Sequence, residues 1–216
     1  MVAAVSEAPI SPDILGRLIP LTKTRRVTLR LDAPPIERGR IFDEIAAQEP
    51  DLRLELTAEG ELIVMPPTGG ETGARNFIIA LRLGQWVKEN GTGRGFDSST
   101  VFILPDGSRR SPDAAWILRE RFDALTSEQR RGFPPMCPDF VLELRSPTDR
   151  ISDLIAKMND YLANGARLGW LIDPETRAAY VFRPGQPMQT IESATALDGE
   201  AVLPGFVLDL EEIWNP

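Results

Sequence analysis

Residues 138–147, PDFVLELRSP, read as an interior strand that carries charge. Strand side chains alternate between two faces, so Phe140, Leu142 and Leu144 share one face and Asp139, Val141, Glu143 and Arg145 the other. Charges at the centre of such a strand are costly unless they pair with each other or meet a cation. Two readings stand. Glu143 and Arg145, roughly 7 Å apart along the strand, partly neutralise each other, or Glu143 serves a bound ion.

A second carboxylate sharpens the choice. Asp113, in SPDAAW, opens another strand with apolar neighbours. Adjacent strands that each place one carboxylate on a common face offer oxygen ligands to Mg²⁺, which prefers few carboxylates plus waters. Taken alone, Asp113 also reads as a turn or cap residue after proline. Lys157 falls on the helix after the glutamate strand, where an exposed lysine is commonplace. Glu71, at the start of an earlier helix, suits either the helix dipole or a further ligand position.

What the chain lacks narrows its chemistry. It has no histidine among 216 residues, which excludes Ser–His–Asp triads, Cys–His pairs and His–metal sites. Its one cysteine, Cys137, excludes intramolecular disulfides and Cys-cluster metal sites, and suits an inert buried thiol. No apolar run approaches the roughly 18 residues of a membrane span, and no secretory signal pattern opens the chain. The expected setting is therefore cytoplasmic. Catalysis is left to carboxylates, lysine, arginine, hydroxyls or a hard metal ion. The net charge of −8 counts against a nonspecific nucleic-acid coat. Basic residues nevertheless gather at Arg17, Lys23, Arg25, Arg26 and Arg30, as either a solvated surface or an arm for a phosphate backbone.

The pattern divides into an N-terminal arm over residues 1–36, partly flexible, and one domain over 37–216. A helix is predicted over 37–49, a hairpin from LRLEL and ELIVM, and a turn at PPTGG. The helix from Glu71 contains FIIAL, apolar on all sides, which suggests burial against a sheet. STVFIL and SPDAAWIL read as a second hairpin. The stretch at 91–95, GTGRG, reads as turn chemistry and not as a phosphate loop. Ser152 is a candidate cap for the lysine helix, which Asn164-Gly165 ends. LGWLID, RAAYVF, MQTIES and GFVLDL supply further strands. The fold class is α/β (α+β), with an antiparallel-rich mixed sheet flanked by helices.

Pro-Asp opening a strand, followed by a strand with Glu-X-(Lys/Arg), resembles the PD-(D/E)XK phosphodiesterase core. More closely, the chain resembles the Uma-type family of putative restriction endonucleases. The likeness rests on GGETGARN (69–76), FDSSTVFILPDGSRRSPDAAW (96–116), CPDFVLELRSPTD (137–149), AKMNDYLANGARLGWLIDP (156–174) and RAAYVFRPG (177–185). It implies a restriction-endonuclease-like sheet. Asp113 matches the first aspartate of the pattern and Glu143 its metal-binding glutamate. Arg145 stands where the consensus has lysine, and arginine cannot deprotonate to act as a base. Lys157 matches the lysine displaced to the following helix, and Glu71 resembles an additional acid on the first core helix. Asp139, roughly 13 Å from Glu143 along the strand, is second-tier.

The expectation from the resemblance is a Mg²⁺- or Mn²⁺-dependent endonuclease acting on DNA. Asp113 and Glu143 would hold the ion, with Glu71 as a further ligand, while Lys157 orients a water and Arg145 steadies phosphoryl charge. The alternative is a catalytically degenerate nuclease fold that serves binding or assembly, which arginine at the lysine position favours. A hydrolase working with an acid pair about 5–9 Å apart and no cation stands third. The apolar C-terminal strand and Trp214 would suit a homodimer.

Overall fold

A computed structural model describes residues 26–216. Arg17, Lys23 and Arg25 of the basic run lie outside them. Strand β1 (Val27–Arg30) pairs antiparallel with β3, so the stretch assigned to an arm already enters a sheet. Helix α1 (Pro35–Gln48) follows, with proline at its first position where no N–H is needed. The predicted hairpin forms from β2 (Arg53–Leu56) and β3 (Glu61–Met65). Together with short strands β5 (Phe102–Ile103) and β6 (Arg109–Arg110) it makes a five-stranded sheet in the order β1-β3-β2-β6-β5. Leu54 and Leu56 turn one face of β2 into a core with Phe42 and Ile45 of α1.

The second sheet has six strands in the order β11-β10-β9-β8-β7-β4. These are β4 (Gly93–Asp97), β7 (Ala114–Leu118), β8 (Phe140–Leu144), β9 (Leu168–Asp173), β10 (Ala178–Phe182) and β11 (Gln189–Ile191). Its one parallel pair is β8 with β9, joined through α5 (Ile151–Ala163), and its other neighbours are antiparallel. A two-stranded ribbon, β12 (Ala196–Asp198) with β13 (Val207–Asp209), and helix α6 (Glu211–Trp214) close the chain.

The alternation predicted for the glutamate strand holds. Phe140, Leu142 and Leu144 join one core with Ile79, Leu83 and Trp86 of α2 (Gly70–Asn90). Val141 joins another, with Leu154, Met158 and Tyr161 of α5. The sheet is thus covered on both faces, α2 on one and α5 on the other. Cys137 is a buried free thiol, with its pKa pushed up to about 12 by burial.

Four local expectations need correction. FIIAL is not buried all round: α2 reaches the sheet through Ile79, Leu83 and Trp86, at helical spacing, and Phe77 is left 69 % exposed. The stretch at 93–97 is edge strand β4 paired with β7, not a turn. SPDAAWIL does not form a hairpin with STVFIL, whose Phe102 and Ile103 pair with β6 instead. Glycine is needed at 93 because a Cβ there would lie 2.4 Å from the Trp116 ring and 2.3 Å from the Ile117 carbonyl. Ser152 falls inside α5, whose N-cap is Arg150 with no side-chain cap bond. Residues 119–131 hold two short helices, α3 (Arg119–Asp123) and α4 (Ser127–Arg131).

Candidate active site

The site forms where the first turn before β7, the end of β8 and the middle of α5 meet the polar face of β2. The register that pairs Ala114 with Leu142 sets Asp113 opposite Glu143. Both carboxylates point to the face covered by α5, because they share strand parity with Ala115 and Val141, which pack beneath that helix. Asp113 Oδ2 accepts the Leu144 backbone N–H at 2.9 Å. That bond ties the β7 carboxylate to the strand that carries Glu143.

Lys157 lies between two glutamates. Its Nζ is 2.7 Å from Glu143 Oε1 and 2.7 Å from Glu55 Oε1. It also donates to the Ser111 carbonyl at 3.3 Å. An ammonium has three hydrogens, and each therefore has an acceptor. Tyr161, one helical turn on, donates its hydroxyl to the same Glu143 oxygen at 3.1 Å. Among the described residues Glu143 Oε2 has no protein hydrogen-bond donor.

Glu55 is fixed from several sides. Its Oε1 accepts the Ser111 backbone N–H at 3.0 Å, and its Oε2 meets Arg110 at 3.3 Å. Arg110 in turn reaches Asp160 of α5 at 2.6 Å. Burial acts to raise the Glu55 pKa, but Lys157, Arg110 and the Ser111 N–H outweigh it and hold the carboxyl below its ordinary value. Glu143 moves the other way. Burial, reinforced by the nearby Asp113 and Glu55 charges, overcomes Lys157 and pushes it up to about 8. Burial also raises Asp113. Lys157 is raised: burial opposes its charge, and the two glutamates more than compensate. The pocket thus holds more carboxylate than its own cations neutralise.

The other predicted residues go elsewhere. Arg145 does not pair with Glu143. Its guanidinium meets Asp173 at 2.9 Å and Glu175 at 2.6 Å, at the end of β9 and just beyond. It stands one residue past β8, where its N–H still bonds the Ile172 carbonyl at 2.9 Å and the parallel register brings it beside Asp173. Glu71 is 84 % exposed and pairs with Arg75 at 3.4 Å, so the structure does not bring it to Lys157 and Glu143. Asp139, at the opposite end of β8, accepts the Leu118 N–H at 2.9 Å and pairs with Arg121 at 2.8 Å, a buried tie between strand and helix α3.

Glu55, Arg53 and Asn76 were not anticipated. In RLEL the charged residues alternate with Leu54 and Leu56, which reads as a solvent face. That face instead meets the other sheet, with Glu55 buried. Arg53 NH2 lies 3.8 Å from Asp113 Oδ1, and Asn76 Nδ2 donates to the same oxygen at 3.3 Å. Asn76 Oδ1 is buried and has no partner among the described residues.

Comparison with known proteins agrees with this architecture. A family model described as Uma2, putative restriction endonuclease, matches residues 41–211. A solved structure described as a putative nuclease belonging to DUF820 from Anabaena variabilis superposes with a TM-score of 0.64 at 20 % identity. The superposition covers 74 % of this chain and 89 % of that one, and likeness at this identity speaks for the fold. No curated protein matches the chain. With the family model spanning most of its length, the chain belongs to the Uma2 family of putative restriction endonucleases.

Proposed function

We propose that the protein is a metal-dependent nuclease of PD-(D/E)XK type that hydrolyses DNA phosphodiester bonds. The observation that carries the reading is the pair of partly buried Asp113 and buried Glu143 on adjacent strands, facing one helix lysine. A divalent ion fits this donor set. The donors are hard oxygens, and Glu143 Oε2 and the buried Asn76 Oδ1 are without protein partners among the described residues. Among those residues no three acidic or thiol groups converge closely enough to enclose an ion. Two carboxylates with water completing the shell is the arrangement that Mg²⁺ tolerates.

Asp113 and Glu143 would hold the ion, which when bound supplies charge neutralisation at the scissile phosphate and acidifies a water. Lys157 and Tyr161 fix Glu143 through Oε1 and leave Oε2 to face the substrate side. Glu55 holds the ammonium in place through the Ser111 N–H and Arg110. Lys157, held as an ammonium, can orient a water only by exchanging one of its three acceptors. The raised Glu143 pKa supports the reading, because crowded carboxylates are relieved when a cation arrives.

A second reading, a nuclease fold that binds without cutting, is favoured by one observation. Arg145, at the consensus lysine position, is committed to Asp173 and Glu175. Incubating plasmid DNA with the protein in Mg²⁺ or Mn²⁺ and in EDTA separates the two. The nuclease reading expects breakdown only with the cation, and none with Asp113→Ala or Glu143→Ala. Intact DNA in every lane, or equal cleavage by the variants, contradicts it.

A further inference from the structure

We infer that Arg53 is the residue that grips the scissile phosphate, an inference that rests on the nuclease reading above. Among the described residues, the three other cations that meet the site's acids or were expected to serve it are already committed. Lys157 has an acceptor for each ammonium hydrogen. Arg110 is buried between Glu55 and Asp160. Arg145, to which phosphate stabilisation would otherwise fall, is held by Asp173 and Glu175.

Arg53 differs in position and in spare donors. It starts β2, with the side chain on the same face as buried Glu55, so the strand that anchors Lys157 also delivers a guanidinium to the mouth of the site. Its side chain is 32 % exposed and NH2 lies 3.8 Å from Asp113 Oδ1, beyond hydrogen-bond reach. Among the described residues its one hydrogen bond runs from NH1 to the Thr68 hydroxyl, 2.8 Å away in the PPTGG turn. A guanidinium carries five N–H donors, so a fork remains for two phosphate oxygens. The Thr68 bond gives that turn a purpose: it sets the guanidinium beside the carboxylate without letting it close on it. Next to Asp113 and Glu143, an anionic phosphate needs such a cation to offset carboxylate repulsion.

The test compares wild type, Arg53→Gln and Arg53→Lys on a fluorescent duplex DNA oligonucleotide in Ca²⁺, across a salt series, with Mn²⁺ affinity by calorimetry as a second readout. Arg53→Gln is expected to bind DNA about tenfold or more weakly. Its slope of log affinity against log salt should be smaller by about one phosphate contact. Arg53→Lys should restore the slope and only part of the affinity. Mn²⁺ should bind Arg53→Gln at least as tightly as wild type, because a cation beside Asp113 has been removed. Unchanged DNA affinity and slope in Arg53→Gln overturns the inference while the nuclease reading stands. A joint fall in DNA affinity, Mn²⁺ affinity and melting temperature also overturns it, as a folding role. A wild type that binds neither DNA nor Mn²⁺ overturns the nuclease reading and this inference with it.

Discussion

Glu55 and Lys157 meet at 2.7 Å although one belongs to the five-stranded sheet and the other to the helix that covers the six-stranded sheet. The contact joins two separately built layers through charge, within a chain of ion pairs that runs from half-exposed Asp160 inward through Arg110, Glu55 and Lys157 to Glu143.

Removing Glu55 should therefore cost stability and function together. Glu55→Ala leaves two buried cations short of a partner, and breaking a buried pair typically costs about 3–5 kcal/mol. A lowered melting temperature by circular dichroism, together with lost cleavage, is expected. A variant as stable as wild type would show that the layers are held by apolar contacts alone.

The protein without metal should lose stability as pH rises. Glu143 ordinarily titrates near 4.5 but in the fold near 8, so over that interval the native state keeps a proton that the unfolded chain has released. Stability therefore falls between about pH 4.5 and about 8 and levels off above. Burial moves Asp113 in the same sense. Glu55 acts oppositely: its contribution is present above its ordinary range and is lost only as pH falls below it. In EDTA, melting temperature should drop from pH 5.5 to 8.5, and Glu143→Gln should flatten that drop. An equal slope in the variant would place the titrating group elsewhere.

Asp139 provides the control for site placement. It lies at the far end of β8 and binds the Leu118 N–H and Arg121. Asp139→Asn should lower stability by about 1–3 kcal/mol, as for a charged hydrogen bond lost. Its Mn²⁺ affinity should match wild type. A matched loss of metal binding would draw the site toward the wrong end of the strand.

Gly93→Ala tests the edge strand. The added Cβ meets the Trp116 ring and the Ile117 carbonyl, and backbone cannot yield as a flexible side chain can. Overpacking of this kind costs about 1–3 kcal/mol. A neutral substitution, read by chemical denaturation, would mean that β4 stands further from β7 than described.

The legible parts of the sequence were those governed by short-range periodicity. Alternation in PDFVLELRSP placed Phe140, Leu142 and Leu144 against one core and Val141 against the other, as found. LGWLID and RAAYVF likewise form strands, as β9 and β10. Glu55 was hidden because an alternating strand with charges outward looks the same whether its polar face meets water or a second layer. Arg145 misled for a related reason: strand parity set it beside Glu143, but the neighbouring strand β9 brings Asp173, with Glu175 just beyond, closer to it. Glu71 was drawn in by its place at a helix start, and the helix turns it to solvent. Long-range pairing of this sort is written in the topology, which local pattern does not contain.

The central claim is that Asp113 and Glu143 form one cation site, and calorimetric titration of Mn²⁺ into wild type, Asp113→Ala and Glu143→Ala tests it most directly. Saturable binding in the wild type, abolished by either substitution while both variants keep their circular dichroism spectra, is the predicted result. Wild type that takes up no Mn²⁺, or variants that bind it undiminished, would contradict the account and leave the buried acids as a purely structural charge cluster.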